Sequence, residues 1–283
     1  MWHSCARSRS AAGAQRESAA LLHAARHAFA LAWPPMLFGA ALLYAWTQAS
    51  ARGWVDELIL PPPGEILQQL SLGLSSGVLL PHLGVTLLQA LLGFVIAVAA
   101  GIGVGAVIAS SPLVERCFNP FLIAFEAMPK IAMAPLVIVW FGYGIWSKVV
   151  LAAVIAFFPI LVSTILGLRA SEPGRLDVLR ALGASRAQEF RLVRLPGALP
   201  FIFSGINVAV VFVLLGSIVG EFVGAKQGLG TLILIANENL ETARTFSILA
   251  ILALLGMLLH FGVGALRQRL LFWAEPRTGS PPA

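Results

Sequence analysis

Six stretches of this chain, residues 28–47, 83–109, 118–141, 146–168, 201–223 and 247–266, each run for at least 20 residues with few charges. A helix needs about 20 apolar residues to cross the hydrocarbon core of a bilayer. Within that core the backbone has to satisfy its own hydrogen bonds, which a helix does inside one segment. A large soluble enzyme with a buried core is the alternative, and composition argues against it. The chain is 58% hydrophobic and only 11% charged, whereas soluble domains carry about 25% charged residues. The sequence therefore reads as an all-α integral membrane protein with six transmembrane helices spread over residues 28–270.

Six crossings bring both termini to one side, and the arginines say which. Segments on one side carry Arg116, six arginines within residues 169–200, and Arg267, Arg269 and Arg277, while the other side carries only Arg52, Lys148, Lys226 and Arg244. Basic residues accumulate in cytoplasmic loops, so both termini and the central loop are expected in the cytoplasm. Residues 1–27 read as an Arg-, Ala- and Ser-rich cytoplasmic tail and 271–283 as a second one. Ala49-Ser50-Ala51 resembles a signal-peptidase site, but the preceding apolar run exceeds the 7–15 residues or so of a signal peptide, so an uncleaved anchor is expected. Leu60-Pro61-Pro62-Pro63 has to be extended, and Ile66, Leu67, Leu70 and Leu74 mark a short amphipathic helix over 65–74.

The central loop, 169–200, is the longest polar interruption in the second half of the chain. Leu176, Leu179 and Leu182 predict a short helix over 175–182, which Gly183 ends in a left-handed conformation. Ser185 then caps a second helix, with Gln188 completing a capping box, and Leu195-Pro196 and Pro200 close the loop. Two short basic helices around a sharp turn make a docking surface.

Few residues carry chemistry. There is no Gly-Lys-Ser/Thr phosphate loop, no metal-binding histidine pair and no cysteine framework, Cys5 and Cys117 being isolated. No catalytic residue, bound metal or cofactor is expected, and the arginines suit lipid and topology rather than nucleic acid. His82 and His260 read as interfacial residues. Gly93, Ala97, Gly101 and Gly105 recur every fourth position, a pattern that lets membrane helices approach closely. The intramembrane charges are sharper, because each costs roughly 2.5–3.5 kcal/mol at the centre of a membrane helix. Glu126 and Lys130, four apart, are expected to pair on one helix face that Pro129 and Pro135 kink or break. They either line or gate a pathway or form a neutral pair that packs the bundle. Glu221, near the outer end of the fifth span, is either an interfacial carboxylate or part of an outer gate.

The central loop resembles the cytoplasmic signature of ABC-importer permeases, which reads Glu-Ala-Ala, three residues, Gly, nine residues, Ile, one residue, Leu-Pro. Here Asp177-Val178-Leu179 stand in the first position, Arg180 follows, Gly183 falls at the required distance, and Val193, Leu195 and Pro196 close the pattern. LPPP at 60–63, EAMPKIAMAPLVIVWFGYG at 126–144, FFPI at 157–160 and VGEFVGAKQGLG at 219–230 extend the resemblance over about 60–270, toward the nitrate, sulfonate and taurine branch. The resemblance implies a type I (MetI-like) importer permease in a bacterial inner membrane. A second copy of the chain, two cytoplasmic ATPase subunits that bind ATP and Mg, and a periplasmic binding protein would be its partners. Helix 175–182 would couple to the ATPase. The solute would be a nitrate-, sulfonate- or taurine-like anion or a pyrimidine-type precursor. The competing classes are an ATPase-independent secondary transporter or channel, which would usually show two related halves with matching broken helices, and an intramembrane enzyme, for which no nucleophile and base are found.

Overall fold

A computed structural model describes residues 33–34, 36–170 and 173–273. All regular structure among them is helical. The chain falls into two compact units that part after Leu67. In the first, helix α1 spans 36–51, and the Trp46 indole N–H donates to the Pro61 carbonyl at 3.1 Å, strapping the proline run to that helix; Pro63, expected to be extended, instead opens a helix. Residues 1–27 and most of 271–283, read as tails, lie outside the described residues, as does the start of the first expected span. The amphipathic helix expected over 65–74 forms as α2 (Pro63–Ser75).

In the second unit α3 (Leu79–Ala109) and a long helix α9 (Leu195–Gly224) both pack along α6 (Ile145–Arg169). Glycine makes this possible. A Cβ on Gly93 would sit 2.9 Å from the Ala152 Cβ, and one on Gly105 would sit 2.8 Å from the Thr164 Cβ. From the other partner, a Cβ on Gly205 would come within 2.6 Å of the Ser163 Cβ, and one on Gly216 within 2.6 Å of the Ala152 Cα. Lipid tails offer no hydrophobic drive for helix association, so close backbone packing has to supply it. Every member of the Gly93, Ala97, Gly101, Gly105 stripe is buried. Ala90, Ala152, Ala156, Ile160, Ala209 and Val213 complete the three-helix core.

The third expected span, 118–141, is two helices. α4 (Pro112–Ala127) stops at Met128 and Pro129, whose backbones are extended. After a 3₁₀ turn (Lys130–Met133), α5 (Ala134–Phe141) resumes at a bend of 85° to α4. Pro129 disfavours helical geometry at Met128, and Pro135 occupies the first turn of α5, where a missing N–H costs nothing. The central loop contains α7 (Pro173–Ala181), α8 (Arg186–Glu189) and a π turn (Phe190–Arg194) running directly into α9. A ten-residue apolar helix, α10 (Leu229–Glu238), follows α9 and was not expected from the sequence; α11 (Thr242–Leu270) closes the unit. Among the described residues four helices are long and apolar enough to cross a membrane, or five with α4–α5 as one broken span.

Candidate functional site

The sequence-marked residues collect at three places. The first is the loop end. α7 turns its apolar residues two ways: Leu176 is buried, Leu179 is half-buried, and Val178 and Leu182 are 61% and 78% exposed. Leu182, expected on the face of Leu176, lies past the last residue of α7 and turns outward. Gly183 has φ +76°, the left-handed conformation its role as a helix stop requires. Its N–H donates to the Arg180 carbonyl and that of Ala184 to the Leu179 carbonyl, both at 3.0 Å. The capping box is present, with the Ser185 N–H donating to Gln188 Oε1 at 2.8 Å and the Gln188 N–H to Ser185 Oγ at 3.4 Å.

Asp177 is exposed and lies 3.6 Å from Arg180. The stronger partner of Arg180 is Glu189, which is 7% exposed. Arg180 Nε donates to Glu189 Oε1 at 3.1 Å and Nη2 to Oε2 at 3.4 Å. This fork, then the charge of Glu189, raises the Arg180 pKa further. Leu195 begins α9 with its N–H bonded to Phe190 across the π turn. Pro196 lacks an N–H and would crowd the carbonyl four residues back, and a widened turn relieves that clash. At this end Arg169, in the last turn of α6, also pairs with Glu115, in the first turn of α4. Both charges suit their helix dipoles.

The second place is the opposite end of α9. Glu221, expected as an interfacial carboxylate or gate residue, is 1% exposed. Its Oε1 accepts from Thr86 Oγ1 at 2.7 Å and its Oε2 from the Gly230 N–H at 2.6 Å. Thr86 Oγ1 accepts from the Leu229 N–H at 2.8 Å, and His82 Nδ1 accepts from the Gly228 N–H at 3.0 Å. Gly228, the N-cap of α10, offers no side chain. Residues of α3 and α9 therefore satisfy the N–H groups that open α10, which would otherwise be orphaned. At the end of α9, Lys148 does the reverse. It is 1% exposed, and its ammonium donates to the carbonyls of Gly224 at 2.8 Å and Tyr143 at 2.9 Å. A cation thus caps one helix end and a carboxylate the next helix start, each matching the local dipole. Thr86 and the turn 228–230 enclose Glu221, so its carboxylate faces protein and not solvent. His82 is likewise no isolated interfacial residue.

The third place is the bend between α4 and α5. Glu126, Pro129 and Lys130 border a cavity of about 490 Å³ together with Phe158, Ser163 and Phe212. The expected side-chain pair is absent, since Lys130 Nζ donates to the backbone carbonyl of Glu126 at 3.0 Å and lies 4.8 Å from the centre of the Phe158 ring. The helix break explains the difference. It frees the Glu126 carbonyl, and four-residue spacing no longer stacks the two side chains. Pro135 and Glu221 do not border this cavity. Sequence reasoning missed Thr86, Lys148, His82 and Glu189. Lys148 left the one usable signal, a lone cation in the first turn of an apolar run.

Residues 97–272 match a family model described as binding-protein-dependent transport system inner membrane component. The chain is 33% identical over 238 residues to a probable ABC transporter permease protein of Haemophilus influenzae, an alignment covering 84% of this chain and 96% of that one. It is 37% identical to the riboflavin transport system permease protein RibX of Chloroflexus aurantiacus, covering 82% and 87%. To the taurine transport system permease protein TauC of Escherichia coli it is 33% identical, covering 83% and 87%. Among solved structures it is similar to the MetNI methionine ABC transporter in an inward-facing conformation, with TM-score 0.54, 23% identity, and coverage of 66% of this chain and 91% of that one. An amino acid ABC transporter crystallised with histidines gives TM-score 0.56 at 19% identity, covering 72% and 97%.

Proposed function

This chain belongs to the binding-protein-dependent transport system inner membrane components, the permease subunits of ABC importers, and from that premise we propose how it is driven and what it carries. Separate ATPase subunits, holding ATP and Mg, seat on α7. The observation that carries this reading is the exposed pair Val178, on α7, and Leu182, in the turn that follows it, with Arg175 and Arg180 beside them and α7 fixed at its far side by buried Leu176. A water-facing apolar patch at the end of so short a helix costs solubility unless a partner covers it. Two copies of the chain form the pathway, both termini face the cytoplasm, and a binding protein delivers solute to the end that holds Glu221.

The solute is a small anion or a heteroaromatic compound, as the taurine, sulfonate, riboflavin and formylaminopyrimidine permeases among its relatives suggest. Lys130, with Glu126, Pro129, Phe158 and Phe212, is proposed to border its route. Lys130 forms no carboxylate ion pair among the described residues, so a passing anion would not have to displace one. The test is co-purification with the cognate ATPase, followed by uptake into vesicles of whatever solute the cognate binding protein retains. Uptake that requires ATP, and ATPase binding that weakens in Gly183→Val, are the expected results. Uptake driven by an ion gradient without ATP would establish a secondary transporter instead.

A further inference from the structure

We propose that Glu189 is a positioning residue for energy coupling: by gripping Arg180 it locks the docking helix α7 to the base of the continuous helix 186–224, so that displacement of one moves the other. The inference rests on reading this chain as driven by a separate ATPase.

Between α7 and α8 the chain passes through only four residues, one of them Gly183 in the left-handed conformation. The backbone hydrogen bonds of that turn, from Leu182, Gly183 and Ala184, return to Val178, Arg180 and Leu179, all within α7. They end α7 but do not tie it to α8. The capping box ties Ser185 to Gln188 and is local to α8. The Arg180–Glu189 fork spans nine residues and joins the two helices. Beyond Glu189 the helix continues through the π turn and α9 to Gly224. There Glu221 takes hold of the α10 turn through the Gly230 N–H. Carboxylates of one helix thus grip a short helix at each end.

Magnitudes separate a positioning role from a stabilising one. Arg180 is 54% exposed on its side chain, and solvent-screened pairs contribute little to stability. Breaking the fork should leave the fold and the docking face in place while loosening the angle between α7 and α8. The carboxylate is also the buried partner, and burying one has a cost unless its lone pairs are satisfied.

The experiment uses the full chain with its ATPase in lipid vesicles. Cys5 and Cys117 are replaced by Ser, and Lys226→Cys, in the exposed turn after α9, serves as reporter. The rate of labelling by an impermeant maleimide is measured with and without ATP plus orthovanadate. With Glu189 present, trapping nucleotide should change the rate. In Glu189→Gln the same amount of ATPase should co-purify, and the nucleotide-dependent change should shrink by about threefold to tenfold, matching loss of one hydrogen bond of ordinary net strength. Glu189→Arg should lose the change as well, and adding Arg180→Glu should restore it. An undiminished change in Glu189→Gln overturns the proposal. So does loss of ATPase binding in that variant, which would make Glu189 a docking contact, and so does a nucleotide-independent rate in the parent complex. Failure of the parent chain to bind any ATPase would instead remove the underlying reading.

Discussion

The two ends of helix 186–224 solve the same problem with different chemistry. Each joins the helix to a short neighbour through a sharp turn containing a glycine at positive φ, Gly183 at one end and Gly228 at the other. At the loop end the caps come from within the turn: Ser185 and Gln188 satisfy each other's backbone. At the opposite end they come from far away in the chain, since Thr86 and Glu221 are 135 residues apart and His82 and Gly228 are 146 apart. Gly183 has open space where a Cβ would go, whereas a Cβ on Gly228 would strike the Glu221 carboxylate. One turn is exposed and held locally, as suits an element that meets a partner. The other is sealed and held by tertiary structure, so its energetics are those of a core.

On that contrast, the largest effect belongs to Glu221→Ala. It strips partners from the Gly230 N–H and the Thr86 hydroxyl in a site closed to water, at a cost of about 3 kcal/mol. The melting temperature in detergent should fall by several degrees, and Lys148→Met, which abandons two carbonyls, should fall in the same class. Thr86→Ala combined with Glu221→Ala should destabilise by less than the sum of the two, because they share bonds. Full additivity would mean that the network does not act as a unit.

The two glycines offer a direct comparison of the turns. Gly228→Ala should cost about 2–3 kcal/mol, from backbone strain plus collision, while Gly183→Ala should cost about 1 kcal/mol, from strain alone. Equal losses in the same melting assay would break the distinction between a sealed turn and an open one. The smallest effect is Ser185→Ala, which removes a local cap worth about 0.5 kcal/mol, at the low end for such caps. Hydrogen exchange at Gln188 should quicken while the global melting temperature hardly moves. A fall as large as that of Glu221→Ala would show that the docking turn is a structural keystone.

These two ends also explain what could be read from the sequence. Gly183, Ser185 and Gln188 declare themselves because their partners lie within a few residues and turn chemistry is local. The four helices long enough to cross a membrane were legible from apolar length, and the α3 contact stripe from its glycine spacing. His82, Thr86 and Lys148 were not, because no periodicity links them to Glu221; only the packing of α3, α6 and α9 brings them together. α10 was hidden for a related reason, being too short for a span and starting at glycines whose caps are remote. Glu126 and Lys130 failed differently. Their spacing presumes an unbroken helix, and the extended backbone at Met128 and Pro129 removes that premise. Lys130 then takes the carbonyl that the break exposes.

The continuous helix from Arg186 to Gly224 has 39 residues. At 1.5 Å per residue it is roughly 58 Å long, against a hydrocarbon layer of about 30 Å. Its first nine residues, ahead of the apolar run that begins at Leu195, amount to roughly 13 Å of rise. In the proposed orientation they would form a stalk on the cytoplasmic side of the apolar run, carrying Arg191 and Arg194 and ending in the docking turn. The stand-off between membrane surface and docking turn is then set by residue count. A thicker or thinner bilayer would tilt the helix without burying the turn in lipid, so one permease could meet its partner at nearly the same height in membranes of different composition.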